Sequence, residues 1–154
     1  MKRKILILIA GVVPILILDQ ITKFWIATRL SLIDSITIIE NFIHIRHVRN
    51  TPGAFGSLSW LSMDLFIVLT IVSVVVIGFL YFRLNPKQQA AAAGLSLILG
   101  GALGNLIDRI RLGSVIDFID VHYYSYHWPA FNVADSAITV GSLLLALCII
   151  FGKW

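Results

Sequence analysis

Long apolar runs alternate with polar connections along this chain, and four of the runs have the length and character of membrane-spanning helices. The first covers residues 5–18 without interruption and is read on to about 26. Its uninterrupted part would rise only ~21 Å at ~1.5 Å per residue, short of the ~30 Å hydrocarbon core. The helix must therefore continue past Asp19, which puts that carboxylate inside the membrane near one end. The second span, 65–82, is free of charge and rich in Val, Ile and Leu, and Arg83-Leu84-Asn85-Pro86-Lys87 ends it with a turn. The third, 90–107, is also uncharged but built from small residues. Its Gly100 and Gly104 make a small-xxx-small face that lets another helix approach closely. The fourth runs over 137–151.

Two connections have a different pattern. In Ile43-His44-Ile45-Arg46-His47-Val48-Arg49, polar and apolar residues nearly alternate, and Ile36-Thr37-Ile38-Ile39 precedes it with Glu40-Asn41 between. This predicts a small β-hairpin, and residues 113–121 have the same strand character. The fold class expected is an all-α membrane protein, a four-helix bundle carrying a small outer sheet.

Composition strengthens the membrane reading. The chain is 58% hydrophobic and 13% charged, against about a quarter charged in soluble domains. Its net charge of +4 invites a nucleic-acid partner, but no Lys/Arg stripe with interleaved aromatics supports one. Anionic lipid headgroups are the better partner for that charge. The single cysteine, Cys148, excludes an internal disulfide framework and reads as a small packed hydrophobe. Met1-Lys2-Arg3-Lys4 before an apolar run looks like the start of a signal peptide. No small-residue cleavage site follows, so an uncleaved first span is expected.

The twelve Lys and Arg residues divide evenly between the two sides of such a bundle. Lys2, Arg3, Lys4, Arg83, Lys87 and Lys153 sit in very short segments at helix ends, where the positive-inside rule has its force. Both termini are therefore expected in the cytoplasm. Threading four antiparallel spans brings Asp19, Asn50, Asn105, Asp108, Arg109, Asn132 and Asp135 to one membrane face, whichever way the protein is inserted. Ionisable groups at membrane depth are costly and are functional candidates by default.

Blander readings compete. Asn132 three residues before Asp135 is also the pattern of a helix N-cap with an acidic first turn. Asp108 and Arg109 could mark the interface, and Arg111 reads as a snorkelling side chain. Asp117 and Asp120 lie three apart on a strand, so they point to opposite faces and at most one faces the site. Asp34, Glu40 and Asp64 read as solvated loop charges. His44 and His47 face opposite ways, and His122 and His127 among Tyr123, Tyr124 and Tyr126 read as an aromatic belt, so no metal is expected. No G-x-S-x-G is present, and no Ser/His/Asp set assembles. The surplus at this face is carboxylates and carboxamides. Two close carboxylates share a proton and can hydrolyse a peptide bond without metal or cofactor. A proton-coupled transporter should instead place ionisable groups at several depths, and spans two and three have none internally. A purely structural four-helix subunit leaves the clustered Asn and Asp unexplained.

These residues resemble, across essentially the whole chain, the lipoprotein signal peptidases, the type II signal peptidases of bacteria. Asp19-Gln20-x-Thr22-Lys23 matches one family motif and Gly101-Ala102-Leu103-Gly104-Asn105-x-x-Asp108-Arg109 another. Val115-Ile116-Asp117-Phe118-Ile119-Asp120 and Phe131-Asn132-Val133-Ala134-Asp135-Ser136 match the two aspartate motifs. The resemblance implies a single peptidase domain over 1–154, with Asp117 and Asp135 as a catalytic dyad. Asp19, Asn50, Asn105, Arg109, Asn132 and Ala134 would be supporting or substrate-contacting positions. It further implies a short outer helix beside the sheet, and a bacterial inner-membrane enzyme, expected as a monomer. The implied substrate is a prolipoprotein with a diacylglyceryl cysteine, cut just before that cysteine. One motif departs: Pro52 stands where the family usually has Gly, next to Gly53.

Topology gives the first prediction. A cysteine placed at Lys87 should stay unlabelled by an impermeant thiol reagent applied outside intact cells; labelling there would reverse the orientation.

Overall fold

The computed structural model describes residues 2–51 and 62–152. Four long helices, α1 (Lys2–Arg29), α2 (Met63–Arg83), α3 (Gln89–Leu112) and α4 (Val133–Ile150), form the bundle. Each is long and apolar enough to cross a membrane. Strands β1 (Ser35–Ile39), β2 (Ile43–Asn50), β3 (Val115–Tyr123) and β4 (Tyr126–His127) form one antiparallel sheet in sequence order at the end where α1 and α3 finish and α4 begins. The expected hairpin is β1–β2, turning at Asn41 in the left-handed region, φ 58°. No short outer helix is present among the described residues. Pro52 and its neighbouring glycine lie outside them.

Helix α3 is the centre of the bundle. Its mean hydropathy, 1.7, is lower than the 2.2–2.8 of the others because neighbouring helices, not lipid, cover it. Gly100 faces α1 so closely that a Cβ there would stand 3.1 Å from Ile15 and 3.2 Å from Val12. A Cβ on Gly104 would stand 2.5 Å from the Asp19 carboxylate. The small-residue face thus serves α1, as its spacing suggested. Gly101 is turned the other way, against the Ala134 carbonyl of α4, and Gly94 and Gly141 meet where α3 and α4 cross. Such approaches replace a hydrophobic drive, which lipid cannot supply between helices, with dispersion contacts.

The two ends of the bundle are closed differently. At one, Lys4 Nζ donates to the Leu84 and Phe82 carbonyls, 2.8 and 3.0 Å, and Tyr81 Oη donates to the Lys4 carbonyl. This caps the end of α2 with the start of α1. At the other, Gly113 (φ 63°) ends α3 in a left-handed turn that sends the chain directly into β3. Strand β3 pairs with β2 through a register shift between Ile45 and Val48. On the far side, Ile119 exchanges backbone bonds with Phe131, the residue before α4 is capped. That pairing holds the start of α4 against β3.

Close packing at α3–α4 sets a second prediction. A Cβ on Gly141 would meet the Gly94 carbonyl at 2.6 Å, whereas one on Gly78 meets nothing within 4 Å. Gly141→Val should destabilise the protein by about 1–3 kcal/mol through forced backbone displacement. Gly78→Val should leave the thermal midpoint in micelles unchanged. Equal midpoints for both would contradict the crossing.

Candidate active site

The chain brings seven of the eight residues singled out for the site into one hydrogen-bonded and electrostatic cluster at the sheet end of the bundle, and the eighth joins through its backbone. Asp117 is only 2% exposed on β3. Its Oδ1 accepts from Asn132 Nδ2 at 2.7 Å and its Oδ2 from Asn50 Nδ2 at 3.0 Å. Asp135, half-buried in the first turn of α4, accepts from Asn105 Nδ2 at 2.8 Å through Oδ1 and from the Asn132 backbone N–H at 3.2 Å through Oδ2. Asn132 Oδ1 in turn accepts the Asp135 N–H at 2.9 Å, so the two residues form a capping box. The local N-cap reading is therefore correct as local structure. It leaves out the bonds from Asn132 Nδ2 to Asp117, Asn105 and the Ile116 carbonyl, and that from Asn105 to Asp135.

Strand alternation sorts the two candidate aspartates of β3. Asp120 points to the opposite face of the sheet, where its carboxylate accepts from His127 at 2.9 Å and Arg46 at 3.3 Å. These donors outweigh its burial and hold it below the ordinary carboxylate range. His122 stacks on His127 there and lies 3.3 Å from His44. His47 points the other way, to the Leu30 carbonyl.

Asp19 is completely buried and its Oδ1 accepts the Ala134 backbone N–H at 3.0 Å, which is how Ala134 enters the cluster. Below Asp117 and Asp135 lies a group that pattern reading did not assemble. Lys23, 2% exposed, lies 2.8 Å from Asp19, 2.9 Å from Asp108 and 2.9 Å from Asn105 Oδ1. Gln20 donates to both carboxylates, and Asp108 also accepts the Ile116 N–H at 3.2 Å. The available signal was the spacing of Asp19 and Lys23, four apart on one helical face within a span. Arg109 is half-buried and bears electrostatically on Asp135, Asp117 and Asp108.

Burial raises the proton affinity of Asp117 most. The Asn50 and Asn132 donors oppose this, and the charge of Asp135 adds to it, leaving Asp117 pushed up to about 6. Each carboxylate opens on a cavity. Asp117 and Asn50, with Arg49, His127 and Trp128, line one of about 290 Å³. Asp135 lines another of about 410 Å³ that runs past Phe131 along Thr139 and Val140 of α4. Trp128 borders both. The arrangement places a poised acid and a second carboxylate, each oriented by amide donors, at the mouth of an apolar groove. Such a pair can take a proton from water and give one to a carbonyl.

Comparison with known proteins shows the family of the chain. The family model for signal peptidase (SPase) II matches residues 11–151. A lipoprotein signal peptidase of Syntrophotalea carbinolica is 47% identical over 146 residues, spanning 94% of this chain and 89% of that protein. One from Geobacter sulfurreducens is 50% identical over 140 residues, spanning 90% and 88%. A solved bacterial membrane enzyme superposes with a TM-score of 0.83 at 35% identity, over 97% of this chain and 93% of that one. Matches of this extent, over a bundle of four membrane-length helices, show that the chain belongs to the signal peptidase II family and is a peptidase of the bacterial membrane.

Proposed function

We propose that the protein is an aspartic endopeptidase that removes signal peptides from diacylglyceryl-modified prolipoproteins, cutting just before the lipidated cysteine. The observation that carries this reading is the shared anchoring of Asp117 and Asp135 by Asn132, which bonds both. In the active form the pair holds one proton. The ionised carboxylate takes a proton from a water molecule as its oxygen attacks the scissile carbonyl carbon. The protonated carboxyl gives its proton to the carbonyl oxygen, producing a neutral tetrahedral diol. The diol then collapses: the C–N bond breaks, the nitrogen takes a proton from one carboxyl, and a diol hydroxyl returns one to the other. The pair ends as it began, with a single proton. No metal or cofactor takes part.

The substrate assignment rests on depth and surface. The Asp135 cavity continues down a lipid-facing stretch of α4, where Val140 is 55% exposed, and can take an acyl chain from the bilayer while the backbone lies at the dyad. Membrane lipid is the solvent for the exposed Ile, Leu, Val and Phe side chains of α1, α2 and α4. The protein works as a monomer with both termini cytoplasmic, and the sheet and dyad face the extracytoplasmic side. A proton-coupled transporter is disfavoured, because the buried charged side chains of the described helices, Asp19, Lys23 and Asp108, gather at one end and not at successive depths.

Asp117→Asn and Asp135→Asn keep size and shape but remove the acid/base function. Each should abolish cleavage of a diacylglyceryl prolipoprotein peptide by the purified protein, and the double variant should be little worse, because the pair acts as a unit. Asp120→Asn should retain substantial activity. The pH profile should be bell-shaped. Asp117 is an acid with a raised value, so activity falls as pH rises through about 6 and the shared proton is lost, and falls again in acid as the second carboxylate is protonated. EDTA should have no effect. Cleavage persisting in either single Asn variant, or lost to EDTA and restored by zinc, would rule out the mechanism.

A further inference from the structure

We propose that Lys23 is a positioning residue for the aspartate pair, acting through the side-chain amide of Asn105. A carboxamide presents an oxygen on one side and an NH2 on the other, nearly equal in shape, so its neighbours decide which way it faces. Asn105 Oδ1 receives Lys23 Nζ at 2.9 Å and Asn132 Nδ2 at 3.2 Å. With two donors on that side, its NH2 is committed to Asp135 Oδ1, 2.8 Å away. The reverse orientation would set the amide oxygen against a carboxylate oxygen and the NH2 against an ammonium group, leaving every partner mismatched in a buried site. Lys23 also reaches the dyad by two backbone routes. Asp19, which it pairs, holds the Ala134 N–H beside Asp135, and Asp108 holds the Ile116 N–H beside Asp117. The three acceptors around Nζ match the three N–H donors of an ammonium, so the group has one well-defined position. Its charge also favours the ionised state of Asp117.

A buried ion pair can equally be structural, since breaking one is strongly destabilising whatever its neighbours do. Two variants of the full-length protein in micelles separate the readings, assayed with a diacylglyceryl prolipoprotein peptide and checked for folding by thermal unfolding. Lys23→Met with Asp108→Asn removes the donor to Asn105 but keeps the net charge of the buried group. Its kcat should fall about a hundredfold, the range for losing one oriented donor, with KM within about threefold. Lys23→Gln keeps a donor but removes the charge. Its kcat should stay within about tenfold of wild type, and the alkaline limb of the pH profile should move to higher pH, because the cation opposing protonation is gone. A folded double variant with wild-type kcat overturns the role, as does an unmoved alkaline limb in Lys23→Gln, which alone decides if the double variant does not fold. The inference rests on the aspartic reading. Cleavage surviving in Asp117→Asn or Asp135→Asn overturns both, whereas loss of cleavage there with an indifferent Lys23 overturns this inference alone.

Discussion

The carboxamide of Asn132 is the side chain that ties the sheet to the start of α4 at the site itself, beside the backbone pairing of Ile119 with Phe131. Its Nδ2 reaches Asp117 on β3 at 2.7 Å and the Ile116 carbonyl at 3.2 Å, while its Oδ1 caps α4 by accepting the Asp135 N–H. One fully buried side chain therefore sets the distance between a strand and a helix terminus that are far apart in function but eighteen residues or fewer apart in chain. The cost of burying it is met because its polar atoms are bonded on both sides. Without that join, Asp117 would lose its 2.7 Å donor and Asp135 the cap that fixes the first turn of α4.

The site also has to keep several carboxylates dehydrated near the membrane boundary. Asp19 and Asp108 share the ammonium of Lys23 and draw further on Gln20 and two backbone N–H groups. Asp117 has only amide donors, which stabilise its anion without neutralising it. Burial, with no ammonium bonded to the carboxylate, pushes Asp117 up to about 6, while Asp19 and Asp108 lie 2.8 and 2.9 Å from the Lys23 ammonium. The close α1–α3 approach at Gly100 and Gly104 is the geometric condition for this arrangement, since any side chain at Gly104 would occupy the space of the Asp19 carboxylate.

Much of this was legible in the chain before any coordinates. The shortness of the apolar run 5–18 forced α1 past Asp19, and period-two alternation required Asp117 and Asp120 to part company across β3. Both arguments are one-dimensional, depending on helical rise and strand pleat. What could not be read were relations among helices. Lys23 entered only as the last residue of a motif, because its three partners come from α1 and from two turns of α3, and only the rotation of α1 against α3 joins them. The choice of Asp117 over Asp120 likewise needed either the family resemblance or the partners on each sheet face. The capping box shows a further limit: the Asn132–Asp135 pattern has an adequate local explanation, and nothing local tells that the same two side chains also reach Asn105 and Asp117.

The central claim is that a buried Asp117, opposed by Asp135, carries an exchangeable proton near neutrality. Infrared difference spectroscopy across a pH titration of the protein in micelles measures it directly. A protonated carboxyl band should be present in weak acid, disappear as pH rises through about 6, and be missing from Asp117→Asn. A spectrum in which no carboxyl titrates above the ordinary aspartate range, or in which the band persists in Asp117→Asn, would contradict it.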